Sequence, residues 1–171
     1  MASLDSGKLE VVAWIREHFP TGEILDVGAC DGKWRDYLPD YTMDAVEIWA
    51  PSAEAIKDKY RTVFNENIVG LKYKRYDLII FGDIIEHLSV KDAQTVLEYA
   101  KGKCKDMIVA VPFLYPQGEL YGNPYERHIQ DDLTEEIFKE RYKGFEPIWS
   151  DKSYCYYHKE IGNDRRKIKQ R

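Results

Sequence analysis

Eleven residues, Glu23-Ile-Leu-Asp-Val-Gly-Ala-Cys-Asp-Gly-Lys33, constrain the fold more than any other stretch of the chain. Ile24-Leu25 is a short apolar run that closes on Asp26-Val27. Gly28 follows, and Gly32 stands just before a helical pattern that starts near Lys33. The stretch reads as a buried strand breaking into a glycine-bearing turn that feeds a helix. Gly28 allows a sharp bend and lets a ligand approach with no β-carbon in the way. A second apolar run, Ala45-Val46, ends in Glu47. An acid about 20 residues past a strand and glycine turn is placed to accept hydrogen bonds from ribose hydroxyls in a doubly wound sheet.

Asp26 to Gly32, DVGACDG, resembles the first motif of class I S-adenosylmethionine (SAM) dependent methyltransferases, with Cys30 where that family usually has glycine. Tyr76 to Leu88, YDLIIFGDIIEHL, resembles the family's fourth strand and the start of the helix after it, including Glu86-His87-Leu88. The matches run in order from Ile24 to about Pro112. The resemblance implies a Rossmann-like α/β fold, with a mostly parallel seven-stranded sheet and helices on both faces. It implies SAM as cofactor, with Asp26 and Gly28 lining its amino-acid part and Cys30 and Gly32 also among the cofactor-binding residues. Glu47 would hold the ribose, and Ile48 and Trp49 would face the adenine. Asn67 would meet the exocyclic amine, and Gly82 and Asp83 the methionine side.

At 171 residues, 44% of them hydrophobic, the chain fits one domain with a packed core. A net charge of −5 argues against a surface that is basic throughout. Cys30, Cys104 and Cys155 are odd in number and widely spaced, which suggests neither a disulfide framework nor a zinc site. No stretch approaches a membrane span, and the first ten residues hold no signal-peptide core. A cytoplasmic protein is expected, and a homodimer is compatible with the sequence.

Strand and helix patterns alternate along the chain. Leu9, Val12, Ile15 and Phe19 predict a helix that Pro20 stops. Strands follow at Ile24–Val27, Thr42–Ile48, Thr62–Phe64, Tyr76–Phe81 and Met107–Val111, with helices over 33–38, 51–60 and 89–100 between them. Ser89 with Asp92 resembles a capping box, and Asp132 with Glu135 is expected to cap a last helix reaching Tyr142. Residues 144–150 and 153–159 read as two adjacent strands, a closing antiparallel hairpin in the family. The alternation argues for a parallel sheet covered on both faces. The domain is expected over 1–162, with a basic, disordered tail over 163–171. Residues 113–130 have no regular period, and a segment of that length in a compact domain is usually a lid or a binding loop.

Methyl transfer is a displacement at a carbon already activated by a sulfonium. The protein orients the reactants and excludes water. A base is needed only where the nucleophile arrives protonated. His87, Glu126 and His128 are the candidate bases, the last two within Gly122-Asn-Pro-Tyr-Glu-Arg-His128. Nothing in the spacing of these three demands a metal, and none is expected. Each site residue also has a purely structural alternative. Gly28 and Gly32 can be turn glycines, Glu47 a solvated strand end, Asn67 a turn residue, Trp49 core and His87 a helix-start histidine. A nicotinamide dehydrogenase is disfavoured, because G-x-G-x-x-G would need glycines where Cys30 and Lys33 stand. The expected acceptor is a hydroxyl or amine of a small or medium polar molecule, a sugar among the options. A nucleic-acid acceptor and a non-catalytic SAM binder that needs a partner stay open.

Overall fold

The computed structural model describes residues 6–162, so the tail over 163–171 lies outside the described residues. Seven strands form one sheet. They are β1 (Glu23–Val27), β2 (Thr42–Val46), β3 (Thr62–Phe64), β4 (Leu78–Gly82), β5 (Asp106–Pro112), β6 (Glu146–Ser150) and β7 (Tyr154–Glu160). Their order across the sheet is β3-β2-β1-β4-β5-β7-β6. The first five are parallel, and β7 runs antiparallel between β5 and β6. This is the doubly wound, mostly parallel arrangement expected from the sequence. Strand order reverses between β1 and β4, and that reversal opens a crevice above the carboxyl ends of the strands.

Burial on both faces explains why the central strands are nearly all apolar. Every residue of β4 and β5 is buried. Leu25, Val27, Ile79, Phe81, Met107 and Val109 point to one face, where Ala93, Val96, Leu97 and Ala100 of α4 (Val90–Lys101) cover them. Ile24, Met43, Leu78, Ile80 and Ile108 point to the other, under Val11, Val12 and Ile15 of α1 (Lys8–His18). Trp34, on the short α2 (Lys33–Tyr37), joins that second core. Lys8, at the start of α1, is fully buried with its Nζ 4.6 Å from the centre of the Trp34 ring. Helix periodicity alone gave no sign of this buried cation.

Several boundaries differ from the sequence reading for local reasons. β2 ends at Val46, so Glu47 and Ile48 stand in the turn beyond it. α3 (Ala50–Ile56) stops short of Tyr60, whose hydroxyl donates to Asp26 Oδ2 at 2.6 Å in the core. α5 (Glu135–Arg141) is capped by Thr134, which accepts from the Ile137 amide, and not by Asp132. Asp132 instead pairs with Arg141 in two hydrogen bonds of 2.8 and 2.5 Å. Ser89 does cap α4, accepting from the Asp92 amide.

The opposite edge of the sheet is tied by charge. Arg61 donates to both oxygens of Asp44, at 2.9 and 2.6 Å, and also to Glu23. The Tyr76 hydroxyl donates to the same Asp44 carboxylate. Burial alone would raise the Asp44 pKa, but the bonds from Arg61 and Tyr76 outweigh it and hold the group below its usual range. The pair therefore stabilises the fold above the ordinary carboxylate pKa and is lost as pH falls through the lower folded value. Arg61→Ala is expected to cost about 1–2 kcal/mol in urea denaturation at neutral pH, since it strands a buried carboxylate beside a partly solvated partner. That cost is expected to shrink in strong acid, where Asp44 is protonated.

Candidate active site

The crevice at the strand reversal holds a cavity of about 270 Å3. Its floor comes from the ends of four strands: Val27, Gly28 and Cys30 after β1, Val46 to Ile48 after β2, Glu66 to Ile68 after β3, and Gly82 to Ile84 after β4. His87 and Leu88 close one end, and Asn123 to Arg127 with Ile129 form the roof. The sequence-derived candidates Gly28, Cys30, Glu47, Ile48, Asn67, Gly82, Asp83, His87 and Glu126 all line it. Asp26, Gly32, Trp49 and His128 do not.

Glu47 is fixed by the turns around it. Its Oε2 accepts from the Cys30 amide at 2.8 Å, and its Oε1 from the Trp49 amide at 2.8 Å. Burial raises its pKa, and these two bonds work against the rise. Cys30 takes a left-handed backbone, φ 48°, to aim that amide. Asn67 faces the cavity while its Oδ1 accepts from the Val69 amide at 2.9 Å, forming a turn. Trp49 does not line the cavity, and its ring meets the roof residue Tyr125 edge-on at 6.4 Å. Gly32, φ 82°, starts α2 beside the Lys59 side chain, outside the cavity.

Gly28 lines the cavity and has a second role. At φ 78°, an added Cβ would lie 2.1 Å from Ile84 Cδ1. The hollow that the missing side chain leaves is filled by Ile84, so the glycine serves packing between β1 and β4 as well as the cavity floor. Gly82 similarly makes room for Trp34, whose Nε1 would stand 2.7 Å from an added Cβ.

Two acids with raised pKa values stand at this end of the sheet, Asp83 in the cavity lining and Asp26 buried outside it. Asp26 is held by Tyr60, and burial pushes its pKa up to about 7 despite that bond. Asp83, at φ 54°, accepts from the Tyr154 hydroxyl at 2.6 Å, and burial lifts it to about 6.

The roof is bolted to the turn that follows β4. A single 3-10 turn, Ile85–His87, presents the Glu86 carbonyl, which accepts from the amides of both Ile129 and Gln130. The Gln130 side-chain amide donates to the Ile85 and Leu88 carbonyls, while its Oε1 accepts from Arg141 and Tyr142. This seam places His87 against His128, with ring centres 4.7 Å apart and nearly perpendicular. His87 Nδ1 lies 3.1 Å from the Arg127 carbonyl, and His128 Nδ1 lies 2.6 Å from the Tyr115 carbonyl. A carbonyl only accepts, so each Nδ1 carries the proton and each Nε2 keeps its lone pair. Burial, with His128 close by, lowers His87 to about 4, and burial lowers His128 as well. Both are neutral at pH 7 and therefore weak bases. Glu126 lines the cavity and is engaged by the Gln117 and Asn123 side-chain amides, away from the two histidines. Glu86 takes its place beside them. It is 1% exposed, and neither carboxylate oxygen makes a hydrogen bond among the described residues. Its adjacency to His87 was the available sign.

No protein-family model matches the sequence, and no curated protein does. Solved structures do match the fold. A SAM-dependent methyltransferase from Clostridium acetobutylicum superposes with a TM-score of 0.68 at 13% identity, over 91% of this chain and 90% of that one. A 1,6-didemethyltoxoflavin-N1-methyltransferase from Burkholderia thailandensis, with bound 1,6-didemethyltoxoflavin and S-adenosylhomocysteine, gives 0.62 at 19% identity, over 88% and 76%. Magnesium protoporphyrin IX methyltransferase from Synechocystis, with bound SAM, gives 0.63 at 13% identity, over 90% and 77%. The chain has the class I methyltransferase fold.

Two measurements check this account of the floor. Gly28→Ala is expected to destabilise the chain by about 2–4 kcal/mol, from the left-handed backbone and the clash with Ile84. Ile84→Ala in the same background is expected to recover part of that loss, so a double-mutant cycle reads the coupling. Asp26 binds its proton more tightly folded than unfolded, since its pKa rises from an ordinary 3.8 to about 7. Its contribution is thus complete below the unfolded pKa and falls as pH rises through the folded one, at up to about 1.4 kcal/mol per pH unit. Asp26→Asn does not ionise, so its stability relative to wild type is expected to climb between about pH 4 and pH 7.

Proposed function

We propose that the chain is a SAM-dependent methyltransferase acting on a hydroxyl or amine of a small or medium polar acceptor. The observation that carries this reading is the place of Glu47. A partly buried carboxylate, pinned by two backbone amides, meets the crevice one strand over from the Gly28 turn, in a fold shared with methyltransferases solved with SAM or S-adenosylhomocysteine. A carboxylate so held accepts from a pair of ribose hydroxyls without losing conformational entropy on binding. Asn67 and Ile68 offer a polar edge and an apolar face at the nucleoside end. At the other end Asp83 lines the crevice, and we assign it to face the α-ammonium. The groups present fit the cofactor.

SAM, when bound, would supply a methyl carbon activated by its sulfonium, open to displacement by an acceptor's lone pair with the C–S pair left on sulfur. The chain's own part is positioning and exclusion of water. Tyr125, resting on Trp49, and Pro124 shield the crevice from above. His87, Glu126 and Arg127 give the acceptor end a polar wall, which suits a polar molecule better than an apolar one. Glu126, on that wall, is the group we assign to take a proton from a hydroxyl acceptor. The methyltransferases on this fold include enzymes of 1,6-didemethyltoxoflavin and of magnesium protoporphyrin IX, so the acceptor is argued from this wall and not from them.

S-adenosylhomocysteine is expected to raise the melting temperature, and NAD is expected to leave it unchanged; the reverse pattern would overturn the cofactor assignment. Glu47→Ala is expected to weaken S-adenosylhomocysteine binding in calorimetry by about 1–3 kcal/mol, through lost hydrogen bonds to a charged group.

A further inference from the structure

The seam between the turn after β4 and the roof brings together Glu86, His87 and His128. One ligand atom from each lies within 4.8 Å of the others. Two separate features of these residues point to a cation. First, both histidines give Nδ1–H to a backbone carbonyl, which fixes the ring and leaves Nε2 as a lone-pair donor. That is how metal-ligating histidines are oriented. Secondly, Glu86 carries two carboxylate oxygens that make no hydrogen bond among the described residues, on a side chain 1% exposed. Burying a carboxyl without partners is costly, and a cation relieves that cost.

We infer that Glu86, His87 and His128 form a binding site for a first-row divalent metal ion at the acceptor end of the crevice. Two imidazoles and one carboxylate suit zinc, manganese or iron, and a three-ligand set keeps coordination positions open. Donors on a tetrahedral ion with bonds of about 2.1 Å stand roughly 3.4 Å apart, so the trio, within 4.8 Å of one another, draws closer when an ion binds. His87 lines the cavity, so the open positions face the place where the acceptor lies. The ion takes an acceptor oxygen there, and the acceptor class narrows from hydroxyl or amine to a hydroxyl-bearing molecule. The narrowing rests on the methyltransferase reading; the metal site itself does not.

The test is calorimetric titration of the metal-stripped full chain with zinc chloride and with manganese chloride, alongside a separate titration with S-adenosylhomocysteine. One ion per chain is expected. Glu86→Gln and His128→Gln are each expected to weaken it by about tenfold or more, with S-adenosylhomocysteine affinity unchanged. Co2+ is expected to give a visible absorption spectrum distinct from its aquo ion, lost in His128→Gln. Where Glu86→Gln fails to fold, the half-exposed His128 carries the test. No ion bound, or binding indifferent to both substitutions, overturns the site. Metal binding without S-adenosylhomocysteine binding overturns the methyltransferase reading and leaves the site standing.

Discussion

Two amides, those of Ile129 and Gln130, donate to one carbonyl, that of Glu86. This junction governs the upper half of the molecule. Residues 113–130 have no helix or strand period of their own, and their backbone groups need partners from elsewhere. The turn after β4 supplies them, and Gln130 reinforces the junction by bridging Ile85 and Leu88 to Arg141 and Tyr142. The roof's position is therefore set by the sheet and by α5 together. The facing of His87 and His128 follows from it, as does the contact of Tyr125 with Trp49.

The lower half depends on a different constraint. Parallel strands buried on both faces must be apolar almost throughout, so polar groups gather at strand ends. Here they gather at both. At the amino ends Asp44, Arg61, Glu23 and Tyr76 neutralise one another. At the carboxyl ends Asp26 and Glu86 lie in the interior and Asp83 lines the crevice, all with fewer partners, and burial raises all three. One end is electrostatically settled and the other holds unspent acidity around a crevice, as expected where one end binds and the other supports.

Much of this was legible in the residues. Apolar runs of strand length marked the parallel strands, the closing hairpin matched the resemblance, and the glycine turn with a later acid placed the crevice. What escaped reading came from contacts between segments distant in sequence. Gln130 lies in an aperiodic stretch and shows its role only once folded against residues 85–88. Glu126 looked like the acid to join His87 and His128, being two residues from the latter, yet Gln117 and Asn123 hold it aside and Glu86 stands there. Gly28 read as space for a ligand because a sequence cannot show that Ile84 claims that space. Lys8 sat on a predicted packing helix with nothing to mark it as buried.

The sheet's order carries one more consequence. β7 is last among the described strands, yet it stands inside the sheet, between β5 and β6, and its Tyr154 reaches Asp83 at the crevice floor. Residues 1–112 alone therefore leave the β5 edge unpaired and Asp83 without its Tyr154 hydroxyl, so the last third of the chain completes both the sheet and the floor of the crevice.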